Sequence, residues 1–111
     1  MTADDFRDIA LDMPGAVEKA HQNHPDFRIY DKVFASLGVP DEGWGMVKLT
    51  PDQQSLFISQ APTVFQPCNG AWGQRGYTSV RLEAASATIL RSALSDAAEN
   101  LAVHAPKRKN A

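Results

Sequence analysis

The chain has 111 residues, 43% of them hydrophobic, with a formal net charge of −2 and a single cysteine. A chain of this size supports one hydrophobic core, which makes a second domain and a disulfide- or metal-stapled miniprotein unnecessary. The lone Cys68 excludes an internal disulfide and fits a reducing, cytoplasmic setting, no apolar run is long enough to span a membrane, and weak net acidity excludes general condensation onto phosphate backbones.

Thr2 and Asp5 form a capping-box pattern, in which a hydroxyl and a carboxylate both meet the unpaired amides of a helix start. Phe6, Ile9, Ala10 and Met13 then recur at helical spacing, which predicts a first helix over 3–12 that Pro14-Gly15 ends. A strand is expected over 16–21. Residues 27–30 and 33–37 are rich in aromatic and β-branched side chains and predict a hairpin turning at Asp31-Lys32, although Lys32 suits a positive φ poorly. Residues 38–43 read as a loop and 44–49 as another strand of the same sheet.

Thr50-Pro51-Asp52-Gln53 is the clearest local signal: a hydroxyl cap, proline at the first helical position, an acid at the positive dipole end, and glutamine three residues past the cap. The helix it opens runs to Pro62. Residues 66–77 hold Pro67 and three glycines at three-residue spacing, Gly70, Gly73 and Gly76, and are expected to form a loop. Val80 and Leu82 alternate with Ser79, Arg81 and Glu83, giving a half-buried strand over 78–83. Ser86 caps a last helix whose Leu90, Leu94, Ala97 and Leu101 form one buried line. One domain over 1–103 and a basic tail over 104–111 complete the reading. The order α-β(3–4)-α-β(1–2)-α implies an α+β two-layer sandwich, a mainly antiparallel sheet with helices packed on one side.

Charge is unevenly spread along the chain. Up to Asp52 ten acids face five bases, whereas from Gln53 onward three acids face six bases, so an anion-binding surface draws on the second half.

Pro14-Gly15, His24-Pro25-Asp26-Phe27-Arg28, Lys32-Val33-Phe34-Ala35, Lys48-Leu49-Thr50-Pro51, Gly70-Ala71-Trp72-Gly73, Gly76-Tyr77-Thr78 and Ala105-Pro106-Lys107-Arg108 occur in the order found in MmcQ/YjbR-like proteins, which the chain resembles over nearly its whole length. That resemblance implies a compact α+β domain with a fold like that of CyaY and of secretion chaperones, and a double-wing DNA-binding role; it carries over no catalytic residues. Tyr77 stands where the family often has tryptophan.

Arg28, Lys48, Trp72, Arg75, Tyr77, Arg81, Lys107, Arg108 and Lys109 are the candidate nucleic-acid-binding residues. Rings offer stacking faces and guanidinium groups pair with phosphate. Two plainer readings stay open: Trp72 as a core anchor with the glycines routing a tight path, and the cations as a solvated sheet face. His21-x-x-His24 with Asp26 is the sole metal-like pattern and lacks a fourth ligand. Cys68, Ser55, Ser59 and Ser79 sit in no nucleophile context, and neither a P-loop nor a dinucleotide fingerprint is present. The expectation is a non-enzymatic domain without cofactor or metal that binds DNA; the alternative is a protein-interaction or chaperone-like module, marked by an exposed apolar sheet face.

Overall fold

The computed structural model describes residues 1–103, apart from the side chains of His21 and Val103. The expected basic tail, with Lys107, Arg108 and Lys109, lies outside the described residues.

Helix α1 (Ala3–Leu11) starts as its sequence requires: the Thr2 hydroxyl accepts from the Asp5 amide at 3.1 Å and the Asp5 carboxylate accepts from the Thr2 amide at 2.9 Å. Four strands follow, β1 (Val17–His21), β2 (His24–Ile29), β3 (Lys32–Leu37) and β4 (Trp44–Lys48). Helix α2 (Pro51–Gln60) opens on a second capping box, Thr50 with Gln53. Then come β5 (Phe65–Pro67), the short helix α3 (Gly70–Gln74), β6 (Tyr77–Arg81), a single 3-10 turn (Leu82–Ala84) and the long helix α4 (Ala87–Val103).

The strands make one antiparallel sheet in the order β1-β2-β3-β4-β6-β5. Helices α1 and α4 pack against each other and α4 lies over β3 and β4, sealing Phe6, Phe27, Phe34, Val47, Val80, Leu90 and Leu94 from solvent. Burying each such side chain contributes about 1.5–3 kcal/mol. Helix α2 covers the β5–β6 end, where Phe57 meets Phe65 edge-on at 5.4 Å. This is the expected α+β sandwich.

Three local expectations are corrected. The β2–β3 hairpin turns at Tyr30-Asp31, with φ of 52° and 64°, because Ile29 pairs with Lys32. Aspartate tolerates the left-handed region better than lysine does, and this register returns Lys32 to the strand while keeping Ile29 buried. A shift in β2–β3 pairing beside Phe27 leaves Phe34 as an extra residue, so Phe34 and Ala35 both enter the core. Finally, the stretch expected as a loop contains β5 and α3, and the strand expected over 78–83 runs from Tyr77 to Arg81, its successor Leu82 turning inward on a hydrogen bond to the Gly43 carbonyl.

Candidate functional site

Strand alternation divides the sheet into a face under the helices and an open face. On the open face, pairing aligns Ser36 of β3, Met46 of β4, Ser79 of β6 and Gln66 of β5 into one cross-strand row. Lys48 stands opposite Tyr77 on one side of this row, and Trp44 stands opposite Arg81 on the other. Each cation lies over the ring of its cross-strand partner: Lys48 Nζ is 5.4 Å from the Tyr77 centroid, and the Arg81 guanidinium 4.4 Å from that of Trp44.

Helix α3 brings a second ring to the same place. Trp72 is 57% exposed, which decides against a core role, and meets Tyr77 edge-on at 4.9 Å with an interplanar angle of 82°. Arg75 lies over the indole at 5.7 Å. The result is a continuous line of Lys48, Tyr77, Trp72 and Arg75, in which neither cation has a carboxylate partner among the described residues.

Two of the glycines, Gly73 and Gly76, hold α3 in place. A Cβ on Gly73 would come within 2.0 Å of the Cys68 carbonyl oxygen, and one on Gly76, whose φ is +103°, within 2.0 Å of the Leu49 carbonyl oxygen. From behind, the buried Gln54 of α2 donates its side-chain amide to the carbonyl oxygens of Gly73 (3.1 Å) and Tyr77 (3.0 Å) and to the Thr78 hydroxyl (3.2 Å). One polar side chain thereby ties α2 to α3 and β6.

Beside the aromatic line the open face is hollow. A cavity of about 520 Å³ has the Ser36, Met46, Ser79, Gln66 row as its floor, Val39 and Pro40 at one end, and Cys68, Asn69, Trp72 and Tyr77 at the other. Asn69 precedes α3 without capping it through its side chain, which leaves the carboxamide to the cavity wall. Cys68 is half-buried, and its Sγ lies 3.3 Å from Ser79 Oγ. Burial pushes its thiol pKa up, and the Ser79 contact only partly opposes this.

The remaining candidates lie apart from this line. Arg28 sits on β2, where its guanidinium grips the Asp26 carboxylate in two parallel hydrogen bonds of 2.9 and 3.0 Å and approaches Asp31 at 3.7 Å. The Asp26 bond, opposed by desolvation, raises its pKa. Arg81 lies at the other end of β6, roughly 13 Å along the strand from Tyr77, and shares its charge with Glu83 at 3.9 Å. Sequence reasoning missed Gln54, Met46 and Trp44. Gln54 was detectable, since it shares a helical face with Phe57 and Ala61; the row containing Met46 depends on pairing across four strands and has no local signature.

The family model described as YjbR matches residues 11–97. Among solved structures, the crystal structure of Deinococcus radiodurans protein DR2400, described with the family-model domain DUF419, has a similar fold, with a TM-score of 0.70, 17% identity, and coverage of 86% of this chain and 75% of that one. No curated protein matches the chain.

Proposed function

The chain belongs to the YjbR family, and we propose that it is a non-enzymatic binding domain whose open sheet face takes DNA through unpaired bases. The observation that carries this reading is the line of Lys48, Tyr77, Trp72 and Arg75, two cations without carboxylate partners among the described residues flanking two rings, one of them more than half exposed. Base–aromatic stacking contributes about 1–3 kcal/mol per base, and the flanking cations add a salt-sensitive attraction to phosphate. A hollowed, partly aromatic sheet face suits a single strand better than a duplex, whose rings are already stacked.

A binding role is supported over a catalytic one by the chemistry of the cavity. Among the described residues its walls carry a thiol, a phenol, two serine hydroxyls and two carboxamides, but no imidazole or carboxylate to act as a base, and the thiol's raised pKa opposes nucleophile formation. That lone thiol fits a reducing, cytoplasmic setting.

Salt titration of fluorescently labelled single- and double-stranded DNA tests the proposal. Single strands bind at low ionic strength, and the two phosphates met by Lys48 and Arg75 contribute about −1.4 to the slope of log K against log salt. Truncation after Val103 makes that slope shallower by as many phosphates as the tail reaches. Trp72→Ala weakens binding most. Lack of affinity for either form at low salt overturns the proposal. A second reading, capture of an apolar protein segment, draws on Val39, Pro40, Met46 and Trp72 lining the cavity. It predicts binding that is indifferent to salt.

A further inference from the structure

The cavity next to the aromatic line supports a more specific assignment. Its volume of about 520 Å³ falls within the roughly 300–1,000 Å³ of sites that enclose a small molecule. Its composition is that of a site for a planar heteroaromatic ring. Met46, Val39 and Pro40 offer apolar contact, Trp72 and Tyr77 supply ring surface, and polar groups stand at defined places around them.

Those polar groups have a common origin. Ser36, Ser79 and Gln66 project from three strands in one register row, with Met46 between the serines. Asn69 faces them from the segment leading into α3. Hydroxyls and carboxamides each both donate and accept, so together they match the mixed donor and acceptor edge of a nucleobase. A purely aliphatic ligand would cover Ser36, Gln66 and Asn69 without matching their hydrogen-bonding groups, at a desolvation cost.

Charge sets the orientation. Lys48 and Arg75 stand at the Tyr77–Trp72 end, whereas Asp41 and Glu42 directly follow Pro40 at the opposite end. Arg81, over Trp44 beyond the row, lies 3.9 Å from Glu83, so acids outnumber bases at that end, and a nucleotide's phosphate is drawn to the first end, which leaves its base pointing into the cavity along the cross-strand row.

We propose that this cavity holds one unpaired nucleobase of the bound strand, packed against Trp72 and hydrogen-bonded by Gln66, Asn69, Ser36 and Ser79, while Lys48 and Arg75 meet the adjoining phosphates. This rests on the DNA-binding reading and adds to it a pocket that encloses a base, where the exposed rings alone give only surface stacking.

Cys68 in the cavity wall is a built-in reporter of occupancy. The full-length chain is titrated with a short oligothymidylate and with an abasic strand of equal length, and Cys68 alkylation by iodoacetamide is followed by mass in parallel. The proposal expects the thymidylate strand to bind about tenfold more tightly than the abasic one and to slow alkylation several-fold, whereas the abasic strand leaves alkylation unchanged. Met46→Trp, which fills the floor, or Ser36→Leu brings the thymidylate strand down to the abasic strand's affinity. Equal affinity for both strands with unchanged Cys68 alkylation overturns the base pocket while sparing the DNA reading. No binding of either strand at low salt overturns both. Protection of Cys68 by a leucine- and valine-rich peptide but not by oligothymidylate overturns the pocket in favour of a protein ligand.

Discussion

The two halves of the open sheet face use the same kind of residue differently. On β2, Arg28 is locked to Asp26, which is only 6% exposed, and reaches Asp31 as well, so its charge is spent within the fold. On β4 and α3, Lys48 and Arg75 rest on Tyr77 and Trp72 and keep their charge toward solvent. What makes a cation available is therefore the atom beside it. A ring attracts a cation without neutralising it, whereas a carboxylate two residues away on the same strand face cancels it.

The comparison is broken most severely by unseating α3. Gly76→Ala combines a strained φ with overlap on the Leu49 carbonyl and is expected to cost about 3 kcal/mol or more, read as a drop in the denaturation midpoint at unchanged slope. Gln54→Ala removes one of the two donors of the Gly73 and Tyr77 carbonyls, which keep the amides of Gly76 and Cys68, and is expected to cost about 0.5–1.5 kcal/mol per bond lost, with DNA affinity falling alongside stability. Exchanging the cations sharpens the contrast: Lys48→Ala and Arg75→Ala each lower single-strand affinity about five- to tenfold, whereas Arg28→Ala lowers stability and leaves affinity within about twofold. Anisotropy titrations and urea melts on the same three variants separate the two effects. Thr50→Ala removes one cap from α2 and is expected to cost about 1 kcal/mol.

The smallest effect is a pH dependence. Burial raises the Cys68 pKa in the folded chain, so between the ordinary thiol value of about 8.5 and the folded value the unfolded chain is ionised and the folded chain is not. Stability contributed by this thiol is complete below that interval and declines as pH rises through it. Alkylation of Cys68 is accordingly slower than that of a free thiol at neutral pH and keeps rising with pH beyond the free thiol's plateau. Ser79→Ala removes the contact that lowers the pKa, slowing alkylation further at a fixed pH.

Much of the fold was legible because it is written in short patterns. Both capping boxes, the apolar line of α4 and the aromatic strands act within a few residues and were read from them. The β2–β3 turn slipped by one position because residue preference at Asp31-Lys32 competed with register, and burial of Ile29 decided it. The segment around Trp72 reads as a loop since its glycines mask a five-residue helix whose seat is made by the carbonyls of neighbouring Cys68 and distant Leu49. In the candidate site, ring and cation types were evident along the chain. Which of them meet depends on the β4–β6 pairing, a contact between segments about thirty residues apart with α2, β5 and α3 between them.

The sheet is open, and its two outermost strands bear on how the molecule behaves among its neighbours. β5 has three residues and ends in Pro67, which offers no amide hydrogen to a further strand, while β1 carries Glu18 and Lys19 at mid-strand. Both borders thus discourage lateral addition of another polypeptide, whether a stray copy in a growing fibre or a peptide extending the sheet. Concentrated solutions should stay free of β-aggregates, and the broad surface where Trp72 stands is left as the more accessible part of the sheet.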